Sequence, residues 1–242
     1  MTDVFSNNQT SEEDTIAAIS TPLGLGGIGI VRISGPLSIS IASKIFRYKR
    51  KNVIEPEKYI SHKFYYGIIV VPEKEIVLDE VMMVVMRAPK TYTREDMVEI
   101  NCHGGLFVLK KVLELIIGLG ARLAEPGEFT KNAFLNGRVD LSQAEAVIDI
   151  INANCEQNLK SSLYQLSGGL KTKIRKLIEN TIELNIKIEA PMDFPDQGIE
   201  IIEKKQIKIS LQKILTKINE LLDTVKYGQI IKEGINCLIL GK

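Results

Sequence analysis

The sequence contains few cysteines, and their positions fit neither a disulfide framework nor a common zinc motif. Cys102, Cys155 and Cys237 are odd in number, lie far apart and include no C-x-x-C pair. Small disulfide-stabilised domains and the common zinc-binding domains need paired cysteines, in zinc motifs at short spacings. The pattern is typical of a protein kept in a reducing cytoplasm, and no metal site is expected.

Long apolar runs and an excess of charge are also missing. The run at residues 81–86 is too short to span a bilayer. Residues 1–13 are polar and acidic, without the apolar centre of a signal peptide, and we interpret them as a disordered lead. The net charge of +1 gives no general attraction to nucleic acid or membranes. We therefore expect a cytoplasmic protein without membrane contact, whose 242 residues suffice for one large or two medium domains.

Residues 14–126 contain signals of both strands and helices. Alternating or β-branched runs predict strands, and apolar residues spaced by three or four predict helices. The predicted strands are 15–19, 28–33, 64–71, 77–86 and 97–102, and the predicted helices are 38–46 and 106–117. This block is therefore expected to be an α+β domain.

Residues 127–234 contain helical signals only, and they predict a second, α-helical domain. Asp140 and Gln143 resemble a capping box that opens a helix at 141–153. A long helix is expected over 159–184, with a kink at Gly168-Gly169, and a break at 191–198. The stripe from Ile207 to Val225 has heptad-like spacing, which favours packing on another helix of the same bundle.

The last residues look like a strand that enters a phosphate-binding loop. The apolar run 237–240 leads into Gly241-Lys242, and the loop G-x-x-x-x-G-K-[ST] begins with such a glycine. We interpret 235–242 as the first strand of a nucleotide-binding domain whose loop would follow.

Arg32 is the first candidate binding residue. Alternation along the predicted strand 28–33 puts it on the same face as Ile28 and Ile30. A guanidinium on an apolar face needs a carboxylate partner or an anionic ligand. An internal salt bridge is the alternative interpretation.

Glu99 and Arg138 are the other two candidates, and Cys102 is a weaker one. Glu99 points away from the expected core face of its strand, where surface exposure is the default. Arg138 lies just before a predicted helix, where a solvated loop arginine is the alternative. Cys102 adjoins His103, but neighbours on a strand point to opposite faces, so a packed core thiol is favoured over a nucleophile.

Six phrases of the sequence resemble one family, the tRNA-modification GTPases called MnmE or TrmE. The resemblance runs from residue 14 to residue 242. The phrases are DTIAAISTP at 14–22, GIVRISG at 29–35, TREDMVEINCHGG at 93–105, RLAEPGEFTKNAFLNGRVDLSQAEA at 122–146, DFPD at 193–196 and KEG at 232–234.

The resemblance implies a fold and a set of ligands. It implies an N-terminal tetrahydrofolate-binding, aminomethyltransferase-like domain that forms a homodimer and binds 5-formyl-tetrahydrofolate. A helical domain follows, into which a GTPase domain needing GTP, magnesium and potassium is inserted. With a flavin-dependent partner, GidA or MnmG, the family installs a carboxymethylaminomethyl-type group on the wobble uridine of certain tRNAs. Its folate-contacting positions fall on Arg32, Glu99 and Arg138.

Two departures from the family limit what the resemblance implies. The GTPase domain and the terminal Cys-x-Gly-Lys, whose lysine also serves the folate site, have no counterpart here. GTP hydrolysis is therefore not carried over, no catalytic residue is assigned, and folate binding is expected to be weaker than in the whole protein. A stand-alone folate-dependent one-carbon transfer protein and a purely structural dimerisation module are the rival interpretations.

Overall fold

The computed structural model describes residues 14–24, 26–49, 52–194, 202–234 and 237–241. The chain divides into two compact units, Met1–Val139 and Asp140–Lys242. The expected disordered lead at 1–13 lies outside the described residues. The first unit contains strands and helices and the second contains helices, so the predicted α+β domain followed by a helical domain is confirmed.

The first unit is built on one seven-stranded sheet with the order β3-β4-β5-β6-β2-β1-β7. Neighbouring strands are antiparallel except for β1 and β7, which are parallel. The strands are β1 Ile16–Ile19, β2 Ile28–Ser34, β3 Phe46–Tyr48, β4 Lys63–Val71, β5 Ile76–Met86, β6 Met97–His103 and β7 Arg122–Leu123. The helices are α1 Ser38–Ile45, α2 Leu106–Gly118 and α3 Glu128–Leu135.

One face of the sheet packs against α1 and α2 and forms the core. Val31 and Ile33 on β2 and Val98, Ile100 and Cys102 on β6 belong to this core. Strand alternation sends every second side chain to the opposite face, which we call the site face. Arg32 lies on the site face with Ile28 and Ile30, as the alternation predicted.

The site face is not the apolar core face that the sequence suggested for Arg32. Ile28 is 69% exposed, whereas Val31 and Ile33 are fully buried. The reason is that both helices that follow the strands pack on the same side of the sheet. The site face is consequently free to carry polar side chains near its centre.

Four short elements were not predicted from the sequence, namely β3, β7, α3 and a 3-10 turn at Pro56–Lys58. Two or three residues give too little alternation to mark a strand. Helix α3 belongs to the first unit, which ends at Val139, whereas the sequence placed the domain boundary at Pro126. Side-chain hydrogen bonds connect α3 and the residue after it to the sheet and to the loop after β5.

The second unit contains α4 Leu141–Ile151, α5 Glu156–Leu166, α6 Gly169–Asp193 and α7 Lys204–Glu233. The capping box between Asp140 and Gln143 is present at the start of α4. The predicted kink at Gly168-Gly169 is a complete break between α5 and α6, because Gly168 adopts φ 83°, a left-handed conformation. Helices α6 and α7 pack against each other, as the heptad-like stripe suggested.

Two further expectations for the second unit differ from the structure. Pro191 does not end its helix, since α6 continues to Asp193 with the proline in its last turn. The strand expected over 235–242 does not form at 237–241, where Leu238, Ile239 and Leu240 are more than four-fifths exposed. A strand needs a hydrogen-bonding partner strand, and none lies beside these residues in the described part of the unit.

Candidate ligand-binding site

Arg32 and Glu99 form an ion pair at the centre of the site face. They lie opposite each other on the antiparallel strands β2 and β6. Nε of Arg32 donates to Oε1 of Glu99 at 2.8 Å, and Nη2 lies 2.7 Å from the same oxygen. The internal salt bridge considered from the sequence is therefore present, and its carboxylate is the second candidate residue.

This ion pair leaves acceptor capacity on the carboxylate. Arg32 bonds to Oε1, and no described residue donates to Oε2 of Glu99. The two side chains are 26% and 21% exposed, so the pair is neither fully solvated nor sealed in the core. A carboxylate held in one orientation with a free oxygen is suited to accept hydrogen bonds from a planar donor edge.

Two aromatic rings border Arg32. Its guanidinium carbon lies 5.5 Å from the ring centre of Tyr92 and 5.4 Å from that of Phe129. Tyr92 belongs to the loop between β5 and β6, and Phe129 belongs to the first turn of α3. Distances below about 6 Å are in the range of cation–π attraction, which restricts the orientation of the guanidinium.

Arg138 contacts the same tyrosine. Its guanidinium carbon lies 4.7 Å from the Tyr92 ring centre, while the residue as a whole is exposed. The Tyr92 hydroxyl is 2.9 Å from Oγ1 of Thr130 on α3, which fixes the ring. The structure thus brings Arg32, Glu99 and Arg138 together around Tyr92, although they come from three separate stretches of chain.

Helix α3 is held in place by a buried carboxylate at its first residue. Glu128 accepts from both Nη atoms of Arg122, at 2.6 and 3.0 Å, and from the backbone N–H of Glu125 at 2.7 Å. The hydrogen bond from Arg122 is the main reason that the pKa of Glu128 is lowered. Since Phe129 is the next residue, this ion pair also positions the ring beside Arg32.

The loop that carries Tyr92 is held by a polar network beneath it. Oγ of Ser34 lies 2.6 Å from Oγ1 of Thr93 and donates to Oε2 of Glu95 at 2.7 Å. The Asn136 side chain, at the end of α3, donates to the carbonyl oxygen of Thr93 at 2.7 Å. Ser34 and Thr93 are fully buried, so these bonds fix the loop against the sheet.

Tyr92 and Phe129 were missed by the sequence analysis. Each adjoins or lies within one of the motif phrases, but no periodicity separates these side chains from ordinary core or surface residues. Their shared location depends on α3, which the sequence did not predict. Loop contacts between distant segments have no signature in local spacing.

Cys102 is a packed core thiol, as favoured from the sequence. It is 3% exposed, and burial raises its pKa to about 12, so the thiolate that nucleophilic chemistry requires is scarce near neutral pH. His103 points elsewhere and bonds through Nδ1 to Oδ1 of Asp79 at 2.6 Å. This hydrogen bond raises the pKa of His103.

Neither a metal site nor a membrane-spanning helix is found in the described ranges. No group of three or more metal-ligating side chains was found there. None of the helices in these ranges has the length and apolar character needed to cross a membrane.

Comparison with known proteins gives two family matches that together cover most of the chain. Residues 15–138 match the family described as the GTP-binding protein TrmE N-terminus, and residues 141–236 match the MnmE helical domain. The border between these matches coincides with the border between the two compact units.

Individual relatives agree with the family matches. Proteins named tRNA modification GTPase MnmE are 52% identical in Acetivibrio thermocellus, 48% in Lactiplantibacillus plantarum and 50% in Thermoanaerobacter pseudethanolicus. The alignments cover 96%, 96% and 95% of this chain, and 50%, 50% and 49% of the relatives. The chain therefore spans about half the length of the curated relatives it matches.

Proposed function

The chain belongs to the TrmE/MnmE family of tRNA modification GTPases, and from this premise we propose that its first unit binds 5-formyl-tetrahydrofolate at Arg32, Glu99 and Arg138. The observation that carries the proposal is the convergence of these residues. The three positions singled out by the family resemblance come from β2, β6 and the turn after α3. Arg32 and Arg138 both contact Tyr92, and Glu99 pairs with Arg32.

Glu99 is proposed to recognise the pterin end of the ligand. A pterin presents adjacent N–H donors, and a carboxylate can accept both. Arg32 orients this carboxylate through Oε1, and Oε2 faces no described donor. The rings of Tyr92 and Phe129 supply apolar surface beside the same carboxylate pair, where the flat pterin can pack.

Arg138 is proposed to take the carboxylates of the glutamate tail. It is exposed, and its charge is not neutralised by any described carboxylate. A guanidinium matches the geometry of a carboxylate and pairs with it through two hydrogen bonds. The ligand would then run from Glu99 along Tyr92 to Arg138.

Titration calorimetry with 5-formyl-tetrahydrofolate tests this assignment. Glu99→Gln keeps the size of the side chain but places a donor against the pterin donors. We expect this change to lower the affinity roughly ten- to a hundredfold, equivalent to about 1–3 kcal/mol. Arg32→Ala should lower it at least as much, because Glu99 then loses its orienting partner. Equal affinities for wild type and both variants would remove both residues from the site.

A matched control separates ligand contacts from folding. Glu114→Gln changes an exposed glutamate on α2 that pairs with Lys111, on the helix that packs on the core face of the sheet. We expect its folate affinity to equal that of wild type. Thermal unfolding of each variant should accompany the titration, since a variant that has lost its fold gives no information on the ligand.

Homodimer formation through the first unit is also proposed, and the site face supports it. Tyr66 on β4 and Met82 on β5 are direct cross-strand partners, and both are about half exposed, as is Phe64 on the same face. Exposed apolar neighbours of this kind mark interaction surfaces. Met82→Glu should shift the sedimentation equilibrium toward monomer, whereas Phe107→Glu on α2 should not. An unchanged dimer in Met82→Glu would exclude this surface.

The remaining family functions are proposed for the whole protein, because the chain spans about half of its relatives' length. They are GTP hydrolysis with magnesium and potassium, and modification of the tRNA wobble uridine with a flavin-dependent partner of the GidA or MnmG type in the cytoplasm. The two rival functions make different predictions. A stand-alone one-carbon transfer protein would turn over a folate-bound group without a partner, and a purely structural module would show no folate affinity.

A further inference from the structure

Two arginines beside the proposed folate site carry charge that no described carboxylate neutralises. Arg138 stacks on Tyr92, and Arg94 donates from Nη1 to the carbonyl oxygen of Asn136 at 2.9 Å. Both residues are exposed. Arg32 differs from them, because Glu99 pairs with it at 2.7 Å. Guanidinium groups without an acidic partner are favourable positions for binding anions.

The turn after α3 is contacted by Arg94 and carries Arg138. Nη1 of Arg94 reaches Asn136 and lies 3.6 Å from the position that a Cβ on Gly137 would occupy. Arg138 directly follows Gly137, and its backbone N–H donates to Ala133 at 2.9 Å. Asn136 also donates to the carbonyl oxygen of Thr93, which is the residue before Arg94. The loop and the turn are therefore joined by two hydrogen bonds, one donated from each side.

Arg94 has an uncommon backbone conformation. Its φ is 63°, in the left-handed region that residues with a Cβ seldom adopt. Such a conformation persists where surrounding contacts hold it, and it is frequent at ligand sites. Here the contacts with Asn136 and the buried Thr93 hold it, and they aim the guanidinium at the turn that carries Arg138.

Building on the proposed folate site, we propose that Arg94 and Arg138 form an anion-binding extension for polyglutamylated folates. A folate ends in a glutamate, and each additional γ-linked glutamate adds one carboxylate. With the pterin at Glu99, the tail leads past Tyr92 to the exposed side where both guanidiniums lie. RNA phosphates are the less favoured ligand, because two cations on a chain of net charge +1 make only a small basic patch. This patch directly adjoins the position proposed for the acidic end of the folate.

The test compares monoglutamyl and pentaglutamyl 5-formyl-tetrahydrofolate on the 242-residue chain by calorimetry. We expect wild type to bind the pentaglutamate about three- to tenfold more tightly than the monoglutamate. One or two partly exposed ion pairs contribute a binding free energy of this size. This gain should decrease as the salt concentration rises. Arg94→Gln keeps a donor for Asn136 but removes the charge, so the ratio of the two affinities should fall toward one. Arg94→Lys, which keeps the charge, should restore most of the gain.

Arg175 on α6 is the control residue, because its side chain is exposed and lies in the second unit. Arg175→Gln removes an exposed arginine from α6, and its affinity ratio should equal that of wild type. Equal affinities of wild type for both ligands, or a full gain in Arg94→Gln, would overturn the extension while leaving the folate site intact. Binding of neither ligand would reject the folate site and the extension together. A loss of affinity for a short RNA in Arg94→Gln, with the tail-length gain unchanged, would assign these arginines to phosphates and overturn the proposal.

Discussion

Replacing Glu128 with glutamine tests whether one buried ion pair holds α3 against the sheet. The carboxylate is 7% exposed and accepts from Arg122 at 2.6 and 3.0 Å and from the backbone of Glu125 at 2.7 Å. A glutamine amide keeps one acceptor, but its –NH2 group meets an arginine donor. Hydrogen bonds to charged groups contribute about 1.5–3 kcal/mol.

The expected loss lies in the lower part of that range, because the Arg122 side chain is 41% exposed and water screens its charge. We expect Glu128→Gln to lower the free energy of unfolding by about 2 kcal/mol. For a unit of this size the midpoint of thermal unfolding should fall by about 4–8 °C. Amide exchange should accelerate in α3 before it does so in β2 or β6, because the bonds that are lost belong to the start of α3.

The pH dependence gives an independent check of the same pair. The hydrogen bond from Arg122 lowers the pKa of Glu128 in the folded protein. Its contribution is therefore complete above the unfolded pKa of about 4.3 and is lost as the pH falls through the folded pKa. The difference between wild type and Glu128→Gln should therefore be largest above the unfolded pKa and should shrink as the pH falls below it.

The control for this experiment is Glu183→Gln on α6, where the exposed pair with Lys187 should contribute nothing measurable. An unchanged melting midpoint in Glu128→Gln, together with unchanged exchange in α3, would refute the view that this ion pair positions the helix and the Phe129 ring.

Three further predictions follow from local contacts. The hydrogen bond to Asp79 raises the pKa of His103, so the pair stabilises fully below the unfolded pKa of about 6.5 and loses this contribution as the pH rises through the folded pKa. Urea unfolding of Asp79→Asn should show a larger deficit relative to wild type at about pH 6 than at about pH 9, and parallel profiles would contradict this. Ellman's reagent should leave Cys102 unmodified in the folded protein and modify it in denaturant, because burial raises its pKa to about 12; rapid modification of the folded form would show that the core opens. Asp140→Ala removes the cap of α4 and should cost about 1 kcal/mol in denaturant titration, and an unchanged midpoint would show that the capping box is not needed.

The longer elements could be predicted from the sequence because their side chains repeat with a clear period. The five predicted strands and both predicted helices of the first unit occur within a residue or two of the expected bounds. The capping box at Asp140 was also recognisable, since its two residues stand three apart. These features depend on neighbouring residues only, which is why local spacing identifies them.

The architecture of the candidate site could not be predicted in the same way. Arg32 and Glu99 lie 67 residues apart in sequence, and their pairing depends on β2 and β6 becoming neighbours in the sheet. Arg32 faces away from the core because α1 and α2 cover the opposite side of the sheet. The contacts of Tyr92 and Phe129 with Arg32 could not be predicted without the position of α3. A loop residue and a helix residue have no common spacing in the sequence that would indicate such a contact.

Reduced folate is proposed to bind on the site face between Glu99 and Arg138. A co-crystal structure of the chain with 5-formyl-tetrahydrofolate tests it most directly. We expect the pterin edge within hydrogen-bonding distance of the Glu99 carboxylate, about 2.7–3.2 Å, with the tail directed past Tyr92 to Arg138. Ligand density on another surface, or a pterin that makes no contact with Glu99, would contradict the account.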